Sequence, residues 1–128
     1  MIRKSLVLVA ALVCLHLAGC ATAEKILPLH DETLVYDLPL DLTYLRTMEA
    51  VDSRPGWELE GTDKEKGIIK VRNVQYSRLD DSDKRSLTIL VRRISAARTS
   101  VALAPESQRS LGGGDMLQTI KEKLNAEQ

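Results

Sequence analysis

The apolar run that breaks off at Leu17-Ala18-Gly19-Cys20 decides how much of this polypeptide is left to fold. Arg3 and Lys4 stand before the run, and Ser5 to Leu17 is almost entirely Leu, Val and Ala. A basic start, a short apolar stretch and small residues ahead of a cut are the three parts of an export leader. A membrane-spanning helix is the competing reading, but the run is roughly 15 residues where crossing a bilayer takes about 20. Ala21, Thr22, Ala23 and Glu24 follow instead of a basic stop-transfer cluster. Taking residues 1–19 from the 128 leaves 109. That is enough for one domain with a single modest core.

The cut site itself resembles the lipobox of bacterial lipoproteins. The resemblance implies that signal peptidase II recognises Leu17, Ala18 and Gly19 and cleaves before Cys20. It also implies that the Cys20 sulfur takes a diacylglyceryl group and that the mature amino terminus is triacylated, palmitate included. Such an anchor is durable, because each buried methylene adds about 0.8 kcal/mol and more than one chain is needed for stable attachment. The same resemblance implies that Ala21, in place of Asp, sorts the protein to the outer membrane of a cell that has one, facing the periplasm.

Charge and cysteine then narrow the function classes. Lys plus Arg and Asp plus Glu both number 18, and losing Arg3 and Lys4 leaves 16 against 18, a mature net charge of −2. Nucleic-acid binding wants a strongly basic face and is not expected. Cys14 goes with the leader and Cys20 is taken by the lipid, so no disulfide is expected. Stability has to come from packing, and with no Phe in the chain the work falls to Leu, Ile and Val, helped by Trp57 and three tyrosines.

The expected layout is a leader over 1–19, a lipidated tether over 20–31 and one α+β domain over 32–128. Leu34, Tyr36 and Leu38 alternate as a first strand. Asp41 is an N-cap candidate, Leu40 can staple onto Leu45, and Leu45, Met48 and Val51 form a helical stripe. Arg54-Pro55-Gly56 ends that helix. Trp57 and Leu59 point inward from a second strand. Ile69, Val71 and Asn73 continue that face from a third, after a charged turn at 63–67. A second polar turn spans Asp80 to Lys84. Leu87, Ile89 and Val91, then Thr99, Val101 and Leu103, mark two more strands. A Ser- and Gly-rich loop over 105–114 leads to a last helix with Asp115 as cap, Gln118 in the capping box, and Leu117, Ile120 and Leu124 on one face.

The order β-α-β-β-β-β-α predicts an antiparallel sheet with both helices packed on its one apolar face. Glu58, Glu60, Lys70, Arg72, Thr88, Arg92 and Ser100 fall on the other, water-facing side. With Pro39-Leu40-Asp41 opening a helix, Gly56-Trp57 opening a strand, Gly67 in a hairpin and a Gly-rich loop before the last helix, the chain resembles the helix-grip-like domain of an uncharacterised group of small bacterial lipoproteins. More distantly it resembles the C subunit of the outer-membrane β-barrel assembly machinery, which carries a second domain that this pattern lacks.

Few residues offer chemistry. His30 is the one histidine after the leader, and a zinc site needs three or four ligands while a catalytic histidine needs partners. Asp80-Asp81-Ser82-Asp83 resembles half a calcium loop. Counted from Asp81, however, Ser86 and Arg92 stand where glycine and a bidentate glutamate belong. Gly112-Gly113-Gly114 has no Lys-Ser/Thr ending, and Asp115 places a negative charge where a phosphate would sit. Arg92, Arg93 and Arg98 form a basic cluster for which surface ion pairing is the ordinary fate.

Two functional expectations follow. The first is a non-enzymatic, cofactor-free envelope lipoprotein that binds a protein partner through its sheet face or last helix. The second is a carrier or sensor of a hydrophobic ligand, held in a groove with Trp57 on one side and Leu111, Met116, Ile120 and Leu124 on the other.

Overall fold

Alternation along the central strands sends one row of side chains to each side of the sheet, and the two rows differ sharply in polarity. A computed structural model describes residues 27–75 and 86–128. Five strands, β1 (Leu34–Tyr36), β2 (Trp57–Asp63), β3 (Ile68–Asn73), β4 (Ser86–Ser95) and β5 (Arg98–Leu103), form one antiparallel sheet in the order β1-β5-β4-β3-β2. Helix α1 (Leu40–Asp52) follows β1, and α2 (Gly113–Asn125) follows a 3-10 turn at Pro105–Ser107. The α+β fold expected from the sequence, in its β-α-β-β-β-β-α order, is the fold observed.

Ile69, Val71, Leu87, Ile89, Val91, Val101 and Leu103 supply the sheet side of the core. Tyr44, Ala50 and Val51 of α1 and Met116, Leu117, Ile120 and Leu124 of α2 close over them. The helices run antiparallel to each other, since Arg46 pairs with Glu127, Glu49 with Lys123, and Arg54 with Thr119 and Asp115. Thr99 is buried in the same layer and donates its hydroxyl to the Leu38 carbonyl at 2.8 Å, tying the β1–α1 link to β5.

Both helices begin elsewhere than expected. In α1 the cap is Pro39, whose carbonyl accepts the Thr43 amide and hydroxyl, each at 3.0 Å. Asp41 is inside the helix and its carboxylate is engaged by Lys64 at 2.9 Å, so it does not cap. The buried stripe is Thr43, Tyr44, Thr47, Ala50 and Val51, while Leu45 is exposed. Two threonines enter this core because their hydroxyls are satisfied locally: Thr47 donates to the Thr43 carbonyl at 2.7 Å. In α2 the cap is Gly112 in place of Asp115, and Gln118 donates to Glu122 at 3.0 Å instead of completing a capping box.

Leu59 is a third departure. It pairs with Val71 and so lies on the core side, yet it is exposed on the edge strand β2. A bulge between Leu59 and Gly61 follows, which breaks the regular edge that another strand would need. The polar turn expected at Asp80–Lys84 lies outside the described residues.

Candidate functional site

The first turn of α2 is flanked by two depressions, and every sequence feature near it is reused in one or the other. One depression, of ≈ 390 Å³, is bounded by Leu27, Pro28, His30 and Glu32 on one side and by Arg109 to Gly112, Gly114, Asp115 and Gln118 on the other. The second, of ≈ 260 Å³, lies between Arg54, Pro55, Trp57, Asn73 and Gln75 and the same Leu111, Gly112 and Asp115.

The chain entering the domain is held at the first depression. Arg109 Nη1 donates to the Leu27 carbonyl at 3.0 Å, and the His30 amide donates to the Gln108 carbonyl at 2.8 Å. The tether expected to run through Asp31 is therefore docked from Leu27 onward. Backbone groups make that docking, while the Leu27 and Leu29 side chains stay exposed. The His30 imidazole lies against Gly114, where any side chain would collide with the ring; a Cβ there would stand 2.5 Å from His30 Cε1. Nδ1 is 3.7 Å from Glu32 Oε1, beyond hydrogen-bond reach. Ser110 shares the depression. Among the described residues no cluster of three or more His, Cys, Asp or Glu is arranged to hold a metal.

At the second depression Asn73 is buried, and its side-chain oxygen accepts the Gln75 amide at 3.0 Å. Arg54 reaches across to Thr119 Oγ1 at 3.1 Å and stands 3.8 Å from Asp115 Oδ2. Trp57 sets Cζ2 of its indole against Gly112 and is 7% exposed.

The ligand groove expected between Trp57 and the last helix is replaced by a packed layer. Met116, Ile120 and Leu124 are all 0% exposed and belong to the core with Trp57. Leu111, the remaining wall residue, turns outward. The reason is geometric: α1 and α2 share the sheet face, so the space a single gripped helix would leave open is filled by Tyr44, Ala50 and Val51. Leu17, Ala18, Gly19 and Cys20 lie outside the described residues, as does Asp80-Asp81-Ser82-Asp83. In the basic cluster Arg98 pairs with Asp37 at 2.9 Å, whereas Arg92 and Arg93 make no ion pair among the described residues.

A different surface was missed. Ile68 pairs with Leu90 and Leu90 with Ala102, which lines up three half-buried apolar side chains across the outward side of the sheet. The sequence pattern assigned that side to water because its neighbours Lys70, Arg72, Thr88, Arg92 and Ser100 are polar. Only the register reveals that the apolar residues of three strands fall in one row.

No protein-family profile matches this chain, and no curated protein matches it. Among solved structures it is similar to the Zhui aromatase/cyclase from Streptomyces sp. R1128, at 16% sequence identity over 75% of this chain and 85% of that one, with a TM-score of 0.32. A likeness that slight carries no argument about chemistry. Among the described residues no helix is long and apolar enough to cross a membrane.

Proposed function

We propose that the protein is a lipid-anchored lipoprotein of the bacterial envelope that works as a non-catalytic accessory, holding a protein partner on the outward side of its sheet. The observation that carries the reading is the apolar leader ending in Leu17-Ala18-Gly19-Cys20, a short chain segment ahead of a self-contained sheet-and-helix body. The resemblance to lipoproteins supplies the outer membrane as its address and the periplasm as its compartment. Of the two surfaces suggested by the sequence, the sheet side is favoured over the last helix. It presents the apolar row Ile68–Leu90–Ala102 inside a polar rim, the usual anatomy of a protein interface, whereas the outward positions of α2 are Gln118, Lys121 and Glu122. The carrier reading is disfavoured by the filled layer under α2.

Cys20→Ala tests the anchor directly. Precursor of full size, unlabelled by palmitate, should accumulate in the membrane fraction. A variant processed to the size of the wild type would remove the basis of the assignment.

A further inference from the structure

The domain has two ends, and the register of the strands says which is which. β5 ends, β4 begins and β3 ends at the same side, beside the loop into α2. The chain enters there too, since Leu34 pairs with Val101 near the end of β5 and Leu27 is fixed to Arg109. The β4–β5 hairpin, with Arg92, Arg93 and Ile94, lies at the far end. Strand β4 is 10 residues long, so the two ends are about 33 Å apart at roughly 3.3 Å per residue.

Three of the exposed large apolar side chains among the described residues stand at the entry end, while the most exposed, Ile94 at 54%, stands at the hairpin tip. Leu27 is 38%, Leu29 44% and Leu111 45% exposed, and Leu27 and Leu111 flank the same depression. Cys20 and Leu27 are seven residues apart, and seven residues span at most about 25 Å even when fully extended.

From this we propose that the end of the domain bearing the first turn of α2 seats on the bilayer, with Leu27, Leu29 and Leu111 entering its interfacial layer. The inference rests on the lipid anchor at Cys20. Given that anchor, the short connection keeps this end within about 25 Å of the membrane. The local concentration of bilayer therefore exceeds that of any diffusing partner. Among the described residues Arg109 shares that depression with Glu32 and Asp115, and the apolar side chains are what this end offers a bilayer. The contact is apolar and insensitive to salt. The consequence is an orientation: strands run along the membrane normal, and the hairpin tip with Arg92 and Arg93 points into the periplasm.

The test uses the processed, acylated full chain reconstituted in vesicles of phosphatidylethanolamine and phosphatidylglycerol. Acylation of Cys20 leaves an introduced thiol as the one site for a fluorophore, placed in turn by Leu29→Cys, Leu111→Cys and Ile94→Cys. All three positions are exposed, and unchanged circular dichroism checks that each variant folds. Phospholipids brominated near the top of their acyl chains should quench positions 29 and 111 at least roughly twofold more than position 94, as burial of a few ångströms into the interface requires. The difference should persist at high salt. Equal quenching at all three positions overturns the inference, as does protection of position 111 that appears only when other envelope proteins are added. Palmitate labelling of the same preparation separates the two failures. Acylated protein with equal quenching sinks the seating alone, and unacylated protein sinks the anchor and the seating together.

Discussion

Gly112 and Trp57 constrain each other, and the pair fixes where α2 begins. Gly112 has φ of 83°, in the left-handed region, and a Cβ on it would stand 2.7 Å from Trp57 Cζ2. A side chain there meets both a backbone penalty and the indole. Gly112→Ala should therefore lower stability by about 2 kcal/mol, the usual cost of a strained left-handed residue, measured by urea unfolding. Trp57→Ala should cost about 3 kcal/mol, because a nearly buried ring leaves a cavity between β2 and α2. The double variant should cost less than the sum, since removing the ring removes half of the reason Gly112 is needed. Strict additivity would mean that the ring and the glycine do not meet in solution. Trp57 was legible in the sequence as an anchor; its glycine partner was not, because the two are 55 positions apart. Spacing along a chain carries no information about a contact made by the fold.

At the scale of elements, the strands were readable and the caps were not. Ile69, Val71, Leu87, Ile89, Val91, Thr99, Val101 and Leu103 are all buried where alternation placed them, because a central strand flanked on both sides has no other way to satisfy its backbone. Leu45 and Leu59 failed for the converse reason: a helix stripe and an edge strand bury only what a neighbour covers. The caps moved because rival partners for Asp41 and Gln118 lie elsewhere, on Lys64 and Glu122. Two predictions belong here. Ser107 is buried and its hydroxyl oxygen accepts the Thr88 amide at 2.8 Å, joining the 3-10 turn to the start of β4. Ser107→Ala should cost about 1–3 kcal/mol, the penalty for a buried amide left without a partner, and should speed hydrogen exchange at Thr88 above that of its strand neighbours. The second concerns acid. Lys64 holds the Asp41 carboxyl below its ordinary 3.8, and Arg46 holds that of Glu49 below 4.5. Carboxyls depressed in the folded state stabilise it above the unfolded values, and that contribution is lost as pH falls through the folded ones. The melting temperature should therefore hold down to about pH 5 and fall below about pH 4. The drop should be small and shrink at high salt, since these groups are solvent-exposed and screened.

For the whole molecule, the leader and the body answer different questions. The address proposed from the motif at Cys20 is one that no packing argument could supply. The body has three distinct regions: an entry end bearing Leu27, Leu29 and Leu111, a hairpin tip bearing Arg92, Arg93 and Ile94, and a sheet side crossed by Ile68, Leu90 and Ala102. The core is closed by two helices, and the proposed recognition uses the surface. A body standing with its strands along the membrane normal turns the sheet side parallel to that normal, open to a neighbour anchored in the same membrane. Photo-crosslinking residues placed at Leu90 and at Lys121 decide between the two outward surfaces in intact cells. Leu90 lies mid-row on the sheet and Lys121 on the far side of α2, so one protein cannot easily shield both. Crosslinks to a defined protein from position 90, with little or none from 121, are the expected pattern. Charge reversal by Arg72→Glu, at the rim of the row, should weaken those crosslinks without lowering the melting temperature by more than the loss of its 3.7 Å pair with Glu58 allows, a surface interaction worth at most about 1 kcal/mol. Crosslinks from 121 alone would move the partner to the helix layer and leave the apolar row on the sheet without an occupant.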